Sequence, residues 1–399
     1  MKFLSRRFIV FSCLIFIADF VIENLNHKFQ LNDFKVYYSA ATAIATGKQV
    51  YDVAFSLGSG YYKYSPFIAI LVYPIGILPY YGACIVDFLL ISAATILASS
   101  IILELLSDFV FSKPFKSAAL VLSLSFLCIL THLARELELG NVNVILLLTS
   151  CLSLRYLIRG KKVLAGIFLG LVIITKPFFI LLFIPLIIRR YFVMIFSALG
   201  SVMVFIFLPA ILLGIDRDLE LHRQWLNAML VHAAAFPSPN TLDAIIRSYF
   251  SLNVPSGFQY FAMLLLLIPY LVFSAANWYN RKNGKHLTSD LVMEWFVLLA
   301  ILPSLLKTDT EHFLMTLPII VYLLNYLIRT KNFALSILFV LLMLFYAGNI
   351  SDLIGKKLSL ELYNAGVLGI SNILITTFAV ILYIYQTRKK YISTSPVIA

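Results

Sequence analysis

The sequence predicts an all-α polytopic membrane protein, and three observations predict it. Apolar residues fill 61% of the 399 positions and charged residues only 13%, against about 45–50% and about 25% in soluble domains. The apolar residues form long runs along the whole chain, so 1–399 reads as one membrane-embedded unit with no soluble domain apart. Lys and Arg gather in short clusters between the runs, which is how orientation in a bilayer is encoded. The net charge of +12 therefore points to a lipid bilayer and not to nucleic acid. Cys13, Cys84, Cys128 and Cys151 lie in or beside apolar runs without metal-ligand spacing.

A helix needs about 20 apolar residues to cross about 30 Å of hydrocarbon. The first run, 8–22, follows the basic Met1–Arg7 segment. It has no small-x-small cleavage site after it, so it is expected as a retained first span. Further spans are expected at 83–106, 117–133, 142–158, 191–213, 260–279, 290–306, 313–328, 333–350 and 364–386. Two segments are ambiguous by length. Segment 64–80 has prolines at 66, 74 and 79 and too short an apolar stretch. Were it to span, Arg159-Lys161-Lys162, Arg281-Lys282-Lys285 and Arg388-Lys389-Lys390 would face away from Lys2-Arg6-Arg7. It is expected at the outer interface. Segment 163–188 is interrupted by Thr175-Lys176-Pro177. As two short halves it returns to its starting side and keeps Arg159-Lys161-Lys162 with Arg189-Arg190. The result is about 12 helices with both termini cytoplasmic, in the cell inner (plasma) membrane. Two large outer loops, 23–82 and 214–259, place any chemistry on the outer face.

The first outer loop carries Asn32-Asp33-Phe34, an apolar stripe at 34, 37, 38, 41, 44 and 45, and then Gly47 and Tyr51-Asp52. The stripe predicts an amphipathic interfacial helix. Asp33 and Gly47 fit its N-cap and C-cap as readily as a site. Lys176, at a break in an apolar run, needs a partner: a ligand phosphate, a carboxylate such as Asp19 or Glu138, or water reached by snorkelling to the interface. His132 through Asn143 is a dense polar segment in which Arg135, Asn141 and Asn143 suit phosphate or sugar hydroxyls and equally a solvated turn. Lys307, Asp309, Glu311 and His312 cluster at the mouth of a span. Segment 214–259 predicts an amphipathic helix with Trp225, Leu226, Met229 and Leu230 on one side, leaving His222, Asn227 and His232 to a cavity. No P-loop, Gly-x-Ser-x-Gly, His-Glu-x-x-His or Cys-x-x-Cys is present.

These elements in this order resemble glycosyltransferase family 87, the GT-C fold enzymes that include polyprenol-phosphate-mannose-dependent mannosyltransferases. The resemblance rests on the acidic Asp33 after the first span, the Tyr-containing helix ending in Gly47 and Tyr51-Asp52, and Tyr64-Ser65-Pro66 with Leu78-Pro79. It continues through Leu139-Gly140-Asn141-Val142-Asn143, where Asn141 replaces the usual Gln, and Ala165-Gly166 through Thr175-Lys176-Pro177. Pro239-Asn240-Thr241-Leu242 with Arg247, and Glu311-His312, complete it. The resemblance implies a GT-C type bundle and transfer of a sugar from a polyprenyl-phosphate donor to a glycolipid or glycan acceptor, with inversion. It implies Asp33 as general base, Lys176, His312, Arg135 and Arg247 toward the donor phosphate, and Tyr37, Asn141, Asn143 and Asn240 toward sugar or acceptor. It implies no cofactor and no metal. A lipid-linked sugar flippase or transporter fits the helix count too, but a second broken helix is lacking. An oligosaccharide polymerase or ligase more typically carries its large outer loop late in the chain.

Overall fold

A computed structural model describes residues 5–56, 60–111, 117–235, 238–250, 257–279, 287–306 and 308–394. Lys2, Arg281, Lys282, Lys285 and Lys307 lie outside the described residues, as do the side chains of His232, Arg388, Lys389 and Lys390. The chain is an all-α, multi-pass membrane protein. Seven described helices are long and apolar enough to cross a membrane, or eight if one bent pair counts as a single span.

Helix α1 (Arg6–Leu25) begins where the Ser5 hydroxyl accepts the Phe8 N–H at 3.2 Å. It packs through Phe8 and Phe16 onto Phe126 and leaves Leu14 and Ile17 exposed, as a lipid-facing span requires. The outer-loop elements follow: α2 (Asn32–Ala45), a small antiparallel hairpin of β1 (Ala54–Ser56) and β2 (Gly60–Tyr61), and α3 (Pro66–Gly76). At 11 residues α3 is too short to cross, in line with the interfacial expectation. Its Pro66 occupies the first turn, where a missing N–H costs nothing.

Helix α4 (Tyr80–Leu105) runs into a π-helical turn at Leu106–Phe111. The span expected at 117–133 is broken instead: α5 (Ala118–Cys128) and α6 (Leu130–Leu139) meet at 65°. Helix α6 leaves the bundle direction because its polar face, with His132, Glu136 and Asn143 beyond it, has buried partners to reach. Thr131 and His132 bond the carbonyls of Ala347 and Tyr346 at 2.7 and 3.2 Å. Gly140 ends α6 with φ +65, and a Cβ there would come within 2.7 Å of Phe34 and 2.9 Å of an Asp87 oxygen.

Helices α7 (Asn143–Ile158) and α8 (Lys162–Thr175) lead to the break at Lys176, a 3-10 segment (Pro177–Leu182) and α9 (Phe183–Ile188). Helix α10 (Phe192–Leu213) runs parallel to α8: Ser197 bonds the Val163 carbonyl at 2.8 Å, and Gly170 lies against Ala198 and Ser201. The segment after Lys176 therefore returns to the end at which α8 began. Gly166 and Gly170 permit this contact, since a Cβ at either would meet α10 at 2.5–2.8 Å.

Helix α11 (Ile215–Ala235) buries Leu221 and Trp225 but exposes Leu226 and Leu230. This corrects the expected single apolar side. It is tied to the first loop by Arg217 on the carbonyls of Gly47 and Lys48, and by Trp225 Nε1 on the Lys63 carbonyl at 3.0 Å. The remaining helices are α12 (Leu242–Phe250), α13 (Phe258–Tyr279), α14 (Leu287–Leu305), α15 (Leu317–Thr330) after a 3-10 segment at Thr310–Thr316, α16 (Phe333–Ala347), α17 (Ser351–Ile354), α18 (Lys356–Asn364) and α19 (Val367–Thr394). Away from the polar segment, Glu104 binds Arg155 at 2.9 and 3.0 Å and Arg159 at 2.8 Å, and Arg189 pairs with Glu294 at 2.7 Å.

Candidate active site

The polar ends of α2, α6, α7 and α8 meet the 3-10 segment before α15 and enclose a cavity of about 520 Å³. Its ionic and polar lining includes Asp33, Lys63, Asn141, Lys176, Asp309, Glu311 and His312. Apolar lining comes from Phe178, Met229, Met263, Leu305 and Leu306, and Thr241, Asp243, Gln259 and Tyr260 line the cavity as well. A second cavity of about 120 Å³ lies between α2 and the β-hairpin and shares Asp33, Lys63, Tyr64 and Asp309 with the first. Asp33 thus borders both spaces.

Asp33 is not the helix cap. Helix α2 starts at Asn32, after Leu31 in the left-handed region, and Asp33 lies inside the first turn with its carboxylate turned to the α6–α7 junction. Asn141 Nδ2 donates to Asp33 Oδ2 at 2.7 Å. Burial, with Glu311 and then Asp309 adding to it against Lys63 and Lys176, raises the Asp33 carboxyl to about 6. Gly47 does take the predicted C-terminal role, with φ +71. Tyr37 is buried, and its hydroxyl donates to Tyr64 Oη at 2.8 Å and lies 3.4 Å from Asn141 Oδ1. Burial pushes both phenols up, so they remain neutral hydrogen-bonding groups.

Lys176 stands at the helix break with its Nζ 2.7 Å from Asn143 Oδ1 and 2.7 Å from His312 Nε2. Both partners are neutral acceptors if the ammonium donates, which places the His312 proton on Nδ1, 3.4 Å from Glu311 Oε1. Asn143 in turn donates to buried Glu136 at 2.8 Å, and Glu136 also accepts the Val144 N–H at 3.0 Å. Neither sequence alternative, Asp19 or Glu138, pairs with Lys176. Glu138 binds Arg135 at 2.8 Å on the exposed side of α6.

Of the sequence candidates, the structure gathers Asp33, Asn141, Lys176 and His312 along the large cavity, with Asn143 behind Lys176 and Tyr37 on the small one. Arg135, Arg247 and Asn240 are not among the described lining residues. Arg247 lies 3.8 Å from Asp243 and over the Phe258 ring, and Asn240 accepts the Gly369 N–H at 3.2 Å, joining its loop to α19. His222 turns back on Asp218, and Asn227 is exposed. Sequence reasoning missed Lys63, a half-buried cation on both cavities whose ammonium burial disfavours. A signal existed, because Lys63 is the sole Lys or Arg between Lys48 and Lys113. No His, Cys, Asp and Glu group of metal-holding geometry occurs among the described residues.

The family model for glycosyltransferase family 87 matches residues 62–304. This chain belongs to that family. The matched stretch contains Lys63, Asn141, Asn143 and Lys176, while Asp33, Glu311 and His312 lie outside it. The chain is 28% identical over 173 residues to an alpha-(1->3)-arabinofuranosyltransferase of Corynebacterium glutamicum, and 28% over 177 residues to one of Mycobacterium tuberculosis. Each match covers 43% of this chain and 40% of the relative, so the likeness spans well under half of those proteins' length.

Proposed function

We propose that this family 87 protein is a membrane glycosyltransferase that moves a sugar from a polyprenyl-phosphate donor to an acceptor hydroxyl, with inversion at the anomeric carbon. One observation carries the reading. Lys176 is a buried cation on a cavity wall, and among the described residues no carboxylate lies within ion-pair distance of it. A buried charge without a counter-charge costs several kcal/mol. A phosphate bound at Nζ supplies that counter-charge, and the ammonium then stabilises the phosphate as it leaves.

In this reading the donor occupies the large cavity. Its phosphate meets Lys176 and His312, with Lys63 nearby, and its isoprenoid chain follows the apolar wall of Phe178, Met263 and Leu305. The acceptor hydroxyl enters from the small cavity beside Tyr37. Asp33, between the two, takes the hydroxyl proton as oxygen attacks the anomeric carbon and the polyprenyl phosphate departs opposite. The basic clusters of α7–α8 lie at the far end of the bundle, which supports an outer-face site in the cell membrane with both termini cytoplasmic. Arg135 and Arg247, outside the lining, serve the donor only from its periphery, and Asn240 serves the fold. No metal or cofactor enters the scheme.

The sugar has two readings. The family resemblance favours mannose, while the arabinofuranosyl relatives favour a pentofuranose. Membranes containing the wild type or Asp33→Asn, given radiolabelled polyprenyl-phosphate mannose or arabinofuranose and a lipid extract, test both. Transfer by the wild type and its loss in the variant support the enzyme and the base. Equal transfer by both removes Asp33 from the mechanism. Donor translocation without transfer replaces the enzyme with a flippase.

A further inference from the structure

Asn141 is the most fully engaged side chain in the site. Its Nδ2 group faces two carboxylates, Asp33 Oδ2 at 2.7 Å and Glu311 Oε1 at 3.4 Å. Its Oδ1 accepts the Val142 N–H at 2.8 Å, with the Tyr37 hydroxyl 3.4 Å away. The Val142 N–H fixes the amide's direction, because the flipped amide would turn its carbonyl oxygen onto both carboxylates. An amide so occupied has no free hydrogen for a sugar. Glu311 is 1% exposed and its Oε2 has no hydrogen-bond partner among the described residues, so the Asn141 amide is the described side chain that anchors its carboxylate; His312 Nδ1 lies 3.4 Å from Oε1 without a hydrogen bond.

We propose that Asn141 and Glu311 are positioning residues for Asp33: the amide holds Asp33 Oδ2 and Glu311 side by side, leaving Asp33 Oδ1 as the oxygen that meets the acceptor hydroxyl. Asp33 Oδ1 accepts no hydrogen bond among the described residues. The Glu311 charge makes Asp33 a better proton acceptor, and the Asn141 hydrogen bond opposes that by favouring the ionised form. The groups facing Asp33 are Tyr37 from α2, Lys63 and Tyr64 from the loop between β2 and α3, and Asn141 from the α6–α7 junction. Lys176 at the helix break, Asp309, Glu311 and His312 complete the set. Among the carboxylates in this set, Glu311 acts most strongly on Asp33.

The inference rests on Asp33 as the base, but its test needs no substrate. Infrared difference spectra of the purified full chain are recorded across a pH titration, and the protonated-carboxyl band missing in Asp33→Asn is assigned to Asp33. In the wild type it should appear as pH falls through about 6. Glu311→Gln should move its midpoint to lower pH. Asn141→Leu, which removes the hydrogen bond to the ionised form, should move it to higher pH and slow transfer by up to about 10²-fold through misplacement of the base. A merely structural pair would not move the midpoint in opposite directions. An unmoved band in either folded variant, or no Asp33 band in the wild type, overturns the proposal. Loss of transfer in Asp33→Asn with an unmoved Glu311→Gln band would leave the base reading standing without its positioning pair.

Discussion

Lys176 and Arg189 sit at the two ends of the same return segment, and both are buried, yet they are partnered in opposite ways. Arg189 meets Glu294 through two nitrogens at 3.1 and 2.7 Å, with side chains 1% and 0% exposed. Ser274 and Asn277 fill the remaining positions on Glu294 at 2.9 and 3.0 Å. That cation is closed: charge, hydrogen bonds and packing are all complete within the protein. Lys176 has comparable burial but only neutral partners, and it faces a cavity. The difference separates an ion pair completed within the protein from a cavity-facing cation whose counter-charge, in the function proposed above, is the donor phosphate.

The predictions break or sharpen that contrast. The largest effect belongs to the open end: Asp33→Asn should lower transfer by about 10²–10⁴-fold, the usual worth of a general base, with protein level unchanged on a blot. At the closed end, Arg189→Met should destabilise the protein by about 3–5 kcal/mol, because it strands the Glu294 charge. Chemical unfolding in detergent measures this. Lys176→Met should do the reverse. It should leave the unfolding midpoint unchanged or raise it, while lowering polyprenyl-phosphate affinity by about 10–100-fold, the range expected for losing one charge-assisted contact. A Lys176→Met protein that unfolds as readily as Arg189→Met would erase the distinction. Smallest of all, Asn240→Ala should cost about 1 kcal/mol of stability through its lost bond to Gly369 and leave the transfer rate per folded molecule unchanged.

Much of this contrast was legible in the residues. Lys176 interrupts an apolar run beside Pro177, and a cation there calls for a partner, which the sequence left open between a phosphate, a carboxylate and interfacial water. Asp33 was legible for a similar reason, as an acid at the start of an amphipathic stretch. The bend between α5 and α6 was not. Its surroundings, Phe126 to Leu130, are uniformly apolar, with no Pro or Gly to mark a break. Nor was the split face of α11, because lipid accepts Leu226 and Leu230 as readily as the protein interior accepts Trp225. Apolar character does not separate inside from outside when the solvent is itself apolar. Lys63 and Asn240 were missed or misplaced because their partners are more than 100 residues distant in sequence: Trp225 holds the Lys63 carbonyl, and Gly369 holds Asn240.

The return segment between the two cations has one more consequence. It holds six residues of 3-10 helix and six of α-helix, and it is clamped at one end by Asn143 and His312 and at the other by Glu294. Such a segment is a ruler. Its length fixes how far Lys176 stands from the Arg189 end of the bundle, and therefore, in the function proposed above, how far a donor head group descends to reach it. One inserted residue would shift that depth by about 1.5–2 Å and swing the side chains beyond it by about 100–120°. Both clamps could not then close together. Among chains of this architecture, substitutions in the segment should be common and changes in its length rare.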